Sequence, residues 1–198
     1  MIARTSIRRL TICGVCALWL GFGAVQALDL TPHRGWREGN EGPATVVIRF
    51  SDGKCRIDYQ PPPGWQPSGG GRAVTFFTAD STSWMKLMVV DKSNAGPQGS
   101  TAVAKEDLRA WAAKLVPPGA EKLQFVRMVD SPFTLGTHAS TEFIFNCALR
   151  GFRQTLSISV VDFSNQERLV VLISAEPGNF EQIRRQAIAS MFSWSLEG

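Results

Sequence analysis

The chain has 198 residues, 44% hydrophobic and 19% charged, with 21 Lys plus Arg against 17 Asp plus Glu and a net charge of +4. That composition excludes a disordered chain. Only one stretch is long and apolar enough to span a bilayer, which excludes a polytopic membrane protein, and no internal period of 20–50 residues marks a repeat array.

Three of the cations, Arg4, Arg8 and Arg9, fall within residues 1–27, which hold no acid. An uncharged run from Leu10 to Leu28 follows, and Val25-Gln26-Ala27 places small residues at −3 and −1. The pattern is that of a signal peptide cleaved after Ala27. The alternative is an uncleaved anchor, because 19 uncharged residues just reach across a bilayer. In either case the remainder is exported to the periplasm or the exterior, and the membrane is met only through this segment if it is kept. Without it, 18 cations face 17 acids, a net of +1. That near-neutrality removes the case for nucleic acid, whose non-specific binding needs concentrated cations. The C-x-x-C of Cys13 and Cys16 lies inside the apolar run and carries no redox meaning there. Cys55 and Cys147 remain. Each alternates with apolar residues, so each faces a core. They form a candidate disulfide for an exported chain, the alternative being two buried free thiols.

Residues 28–43 are polar, rich in Pro and Gly and without period, and are read as an extended N-terminal arm. Residues 44–198 read as a single domain. Residues 45–50 form a β-branched strand, and Asp52-Gly53 favours a hairpin turn because Gly accepts positive φ. Residues 55–59 alternate and return as its partner, stopped by Pro61-Pro62-Pro63-Gly64-Trp65, since proline cannot donate to a ladder. Gly69-Gly70-Gly71 reads as a flexible loop. Residues 73–78 and 84–90 are two further strands around a turn at 78–83. Ala104, Leu108, Trp111 and Leu115 fall on one helical face, and Pro117-Pro118-Gly119 ends that helix. Residues 123–129, 137–149 and 152–163 read as strands, the last two joined at Arg150-Gly151. In the last, Phe152, Leu156, Ile158 and Val160 meet a core while Arg153, Thr155, Ser157 and Ser159 face a wet or lightly covered side. The unbroken apolar run Leu169–Val170–Val171–Leu172–Ile173 is a central strand buried on both faces. Pro177 suits the first turn of a closing helix, with Phe180, Ile183, Ala187 and Met191 as its buried stripe. The order makes an α+β fold with a twisted antiparallel sheet and two principal helices.

Catalytic and metal chemistry find little support. No G-x-S-x-G elbow is present. The two histidines are His33, in the arm, and His138, which opens a strand with Glu142 on the same side but about 13 Å along it. Two distant histidines and two core-facing cysteines make no metal site, and no cofactor is implied. Gly69-Gly70-Gly71-Arg72 lacks the Lys-Ser/Thr that follows a phosphate-cradling loop and reads as a strand connection. Arg184-Arg185 reads as a solvated helix end. Of the tryptophans, Trp65, Trp111 and Trp194 fall at packing positions, whereas Trp36 and Trp84 are the candidate partner contacts, since Trp is enriched at binding hot spots.

The strand running into a Pro-Gly-Trp stop (Tyr59 to Trp65), the strand after it, and the apolar strand leading to a helix that ends Ser190-Met191-Phe192-Ser193-Trp194 resemble the PsbP-like fold. That superfamily includes lumenal PsbP proteins, DcrB-like bacterial envelope proteins and small eukaryotic proteins that bind the GTPase Ran. The resemblance implies an antiparallel sheet with helices packed on both faces (a PsbP-like α/β/α sandwich) and a non-enzymatic binding or scaffolding role. No site residue carries over from it. The chain departs from the superfamily in lacking a lipobox and any photosystem-binding motif, and an exported chain does not meet Ran. The sequence reading is therefore a non-catalytic, exported binding or scaffold module of the cell envelope. Its partner is another envelope protein or a small ligand. The alternative is a hydrolase-like envelope enzyme with a site scattered in sequence.

Overall fold

A computed structural model describes residues 28–37, 45–51, 56–92, 105–135, 138–162 and 167–197. Residues 1–27, expected to be a signal segment, and Cys55 lie outside these. The described residues form two antiparallel sheets and two helices. The larger sheet has seven strands in the order β4-β5-β6-β10-β9-β8-β7. They are β4 (Gln66–Gly70), β5 (Ala73–Phe77), β6 (Trp84–Asp91), β7 (Ala120–Leu135), β8 (His138–Leu149), β9 (Phe152–Asp162) and β10 (Glu167–Ala175). The smaller has four, ordered β1-β2-β3-β11: β1 (Asp29–Arg37), β2 (Thr45–Ser51), β3 (Arg56–Tyr59) and β11 (Ser195–Glu197). The helices are α1 (Lys105–Leu115) and α2 (Phe180–Met191).

β10 is buried at every residue and stands at the centre of the seven strands. Its two apolar faces divide the protein. Val170 and Leu172 pack with Phe143, Phe145, Leu156 and Ile158 under Leu108, Trp111, Ala112 and Leu115 of α1. Leu169, Val171 and Ile173 pack under the smaller sheet, through Ile48, Phe50, Ile57 and Tyr59, and under Ala187, Ile188 and Met191 of α2. One face thus meets α1, and the other meets α2 and the second sheet.

Several expectations change. The arm is not an arm over its first part: Asp29–Arg37 is a strand paired antiparallel with β2. Leu30 is fully buried, and its N–H donates to the Gly71 carbonyl at 2.6 Å. The glycine run is not a flexible loop. Gly69 and Gly70 belong to edge strand β4, and Gly71 turns into Arg72 at φ +65. Gly70 lies so close to β1 that a Cβ there would stand 2.9 Å from Thr31 Oγ1, so it accommodates a neighbouring strand and no anion. Arg72 is spent on Glu167 at 2.9 Å and Asp91 at 3.1 Å. Pro177 does not open α2; it stands in the turn before the Asn179 cap.

The polar side of β9 is wet only at its start, where Arg153 is exposed and Thr155 half-buried. Ser157 and Ser159 are buried beneath α2 together with Glu142, which is fully buried. Glu142 accepts hydrogen bonds from Ser157 Oγ and from Arg184, whose Nε reaches it at 2.7 Å and whose Nη2 makes a second contact. The hydrogen bond to Glu142, then its charge, holds the Arg184 guanidinium above its ordinary pKa against the opposing effect of burial. Arg184 is therefore no solvated helix end, since it ties α2 to the sheet.

The smaller sheet carries its own carboxylate, Asp58, which accepts from Arg49 Nε at 2.9 Å, with Arg56 at 3.6 Å. The Arg49 hydrogen bonds, then the charges of Arg49, Arg56 and Arg37, hold it below the usual carboxylate range against burial. Its stabilising contribution is present above the unfolded pKa, near 3.9, and is lost as pH falls through the lower folded value. Unfolding by urea between pH 2 and 6 should show stability falling on the acid side of about pH 4. In Arg49→Met that slope should be shallower, and an unchanged slope would remove Asp58 from the account.

Candidate functional site

α1 is 11 residues long, about 16 Å at 1.5 Å per residue. The strands beneath it run much further, so the helix leaves one end of its sheet face uncovered. At that end the strand register brings distant residues together. Phe77 pairs with Trp84, Trp84 with Ser174, and Leu149 with Phe152. The connections at 78–83, 116–119, 150–151 and 176–179 close around them. The result is a cavity of about 480 Å³ with walls of Phe77, Trp84, Leu149 and Phe152. Pro117 closes it on the α1 side, and Arg150, Gln154 and Glu176 supply polar groups. Its size and its mixture of apolar walls with a few polar groups are those of a small-molecule site.

Two features of the rim are held at a cost. Leu149 and Phe152 flank a two-residue turn in which Arg150 has φ +52 and Gly151 φ +84. This is the type I′ pattern, which favours Asn or Gly first. An arginine there costs roughly 1 kcal/mol of backbone strain. Across the cavity Ser81 also has positive φ, +57. Its loop is clasped by Asp80, which accepts from Thr78 Oγ1 at 2.6 Å, Thr82 Oγ1 at 2.9 Å and Thr82 N–H at 3.2 Å. Those bonds, that of Thr78 first, hold the exposed Asp80 carboxyl below its ordinary pKa, so the clasp is made at neutral pH.

Gln154 is 8% exposed and accepts from the Ser174 hydroxyl at 3.1 Å through Oε1. Its Nε2 has no protein acceptor among the described residues, while the side chain lines the cavity. Arg150 and Glu176 likewise make no ion pair among the described residues.

The residues singled out by sequence are scattered. Trp84 is not an exposed contact: it is 8% exposed, packed against the α1 core, and meets the cavity only with its remaining surface. Trp36 is 67% exposed on β1 opposite Val46, itself 48% exposed. Cys147 is a free thiol, half-buried, and burial raises its pKa. The other cysteine of the candidate bridge, Cys55, lies outside the described residues. His138 opens β8, and the cavity lies at the other end of that strand, eleven residues away or about 36 Å. His33 is exposed on β1. Among the described residues no group of three or more His, Cys, Asp or Glu gathers to hold a metal ion. No helix among the described residues is long and apolar enough to cross a membrane.

Sequence reading missed Arg150, Gln154, Phe152 and Glu176 as a group. One local signal was available: an arginine in the Arg-Gly hairpin turn where Asn-Gly is the favoured pair.

No family model matches the chain, and no curated protein matches it. Among solved structures it is similar to the cyanobacterial PsbP (CyanoP) of Synechocystis sp. PCC 6803. That likeness has 11% identity and a TM-score of 0.49 over 81% of this chain and 98% of that one. It is also similar to LpqN of Mycobacterium tuberculosis, a protein involved in cell envelope biogenesis, at 12% identity and TM-score 0.42 over 85% and 92% of the two chains. A third likeness is to PA94 of Pseudomonas aeruginosa, a protein of unknown function, at 11% identity and TM-score 0.36 over 77% and 90%.

Proposed function

We propose that the chain is an exported, non-catalytic binding module of the cell envelope, built on a PsbP-like sandwich, and that it captures a small ligand at the open end of its larger sheet. The observation that carries this reading is the cavity of about 480 Å³, with its aromatic walls and unpartnered polar groups. The signal segment supports export. The site is held for binding before any ligand arrives: Asp80 clasps one rim and a two-residue turn fixes the other. A preformed site spends less of its interaction energy on ordering. Trp36 and Val46 supply a separate surface for contact with an envelope protein, which crosslinking of wild type and Trp36→Ala in the native envelope would test.

Phe152 gives the sharpest test of the cavity, because it is 69% exposed yet forms a wall. Surface substitutions away from packing change stability by about 0.5 kcal/mol or less. Phe152→Ala should therefore leave the thermal midpoint within a degree or two and weaken binding of an anilinonaphthalene dye roughly tenfold. Undiminished dye binding in the variant would place the ligand elsewhere.

A further inference from the structure

The cavity presents one cation and one anion that are not spent on each other. Arg150 and Glu176 both line it, and neither has an ion-pair partner among the described residues. Ion pairs are formed readily elsewhere in the same protein: Arg72 holds Glu167 and Asp91, Arg168 holds Asp162, and Arg184 holds Glu142. Deeper in the cavity Gln154 adds donor N–H groups without a protein acceptor, on a side chain nine-tenths buried. That amide is open to donate to an acceptor on a ligand. Apart from Ser81 and Thr82 the remaining lining is apolar, with Trp84, Leu149 and Phe152 offering hydrophobic surface.

Resting on the small-ligand reading above, we propose that the ligand is a zwitterion: a free amino acid with a large apolar or aromatic side chain. Its carboxylate is held by Arg150 and the Gln154 amide. Its ammonium is held by Glu176, and its side chain lies against Trp84, Leu149 and Phe152. A neutral apolar ligand would leave both charges and the amide unused. A simple carboxylate would meet Glu176 as a like charge, and a simple amine would meet Arg150 the same way. The arrangement thus selects against molecules bearing one charge only.

Calorimetric titration of the mature chain with L-phenylalanine, L-leucine, L-methionine and L-tryptophan tests this, beside 3-phenylpropionate and phenethylamine. At least one of the four amino acids should bind, and each single-charge analogue should bind at least about tenfold more weakly than L-phenylalanine, as expected for loss of a charge-assisted hydrogen bond. Arg150→Asn should weaken amino-acid and phenylpropionate binding and, by removing a like charge, strengthen phenethylamine binding. Asn is favoured at that turn position, so the variant should fold at least as well as wild type. Glu176→Gln should give the mirror result. Analogues that bind as tightly as the amino acids, or failure of all four amino acids while the anilinonaphthalene dye still binds, would overturn the zwitterion and leave the cavity standing. Failure of the dye as well would overturn both.

Discussion

Arg184→Met should destabilise the protein by about 3 kcal/mol or more in denaturant unfolding, the cost of leaving a buried carboxylate without its counter-charge. Glu142 is fully buried, and Arg184 is its cationic partner in a bidentate contact. Ser157 can still donate to Glu142, but a neutral hydroxyl does not compensate a charge removed from water. The companion variant Glu142→Met should cost less, because the Arg184 side chain is 16% exposed and can turn its head to solvent. The double variant, with both groups replaced by apolar side chains of similar length, should recover much of the loss, as buried pairs often do when both members are exchanged. Strictly additive single costs would mean that the pair does not act as a unit.

Tyr59→Ala should cost about 3–5 kcal/mol, the range for removing a large buried aromatic. Tyr59 is fully buried. Its ring lies 5.3 Å from Phe76 of the larger sheet, 5.8 Å from Trp194 and 6.4 Å from Phe50 of the smaller. It therefore joins both sheets and the chain end in one aromatic cluster. Its hydroxyl meets Ser190 Oγ at 2.8 Å, and Ser190 donates onward to the Ala187 carbonyl at 2.6 Å, so the tyrosine is the donor. Burial raises the phenol far above its ordinary pKa, and the proton needed for that bond is retained. Tyr59→Phe keeps the ring and should cost only about 1 kcal/mol. Equal costs for the two variants would show that the hydrogen bond, and not the ring packing, carries the effect.

What could be read from the sequence follows from where each signal resides. β10 was legible because all its neighbours are apolar and its sequence shows it. Strands β2, β3, β5, β6, β8 and β9 were legible from alternation and turn residues. β1 was not. Its residues include Pro32, Gly35 and three charged residues, Asp29, Arg34 and Arg37, and only Leu30 among its large apolar residues is buried. β4 was hidden for a related reason: Pro67, Gly69 and Gly70 are poor strand formers that an edge strand tolerates. The polar face of β9 was read as wet or lightly covered because alternation reports polarity, while burial depends on what covers the face. The covering cation, Arg184, comes from a helix 42 residues beyond Glu142.

The cavity was illegible for the same physical reason. Its residues lie at the ends of five separate strands, and register alone makes them neighbours. Trp84 was noticed for its residue type and named a candidate partner contact, yet it serves mainly as core. Phe152, read as core by alternation, is the exposed aromatic. The two roles are exchanged because α1 covers the middle of the sheet face and stops short of its end.

The measurement that bears most directly on the central claim is a map of backbone amide shifts in ¹⁵N-labelled protein of residues 28–198 titrated with L-phenylalanine. Saturable shifts should cluster at residues 77–84, 149–154 and 174–178, around the cavity at the open end of the large sheet. Shifts concentrated instead at Pro61–Pro63 flanks and α2, around the separate hollow lined by Gln186 and Ser193, would contradict it, as would no saturable shift at any residue.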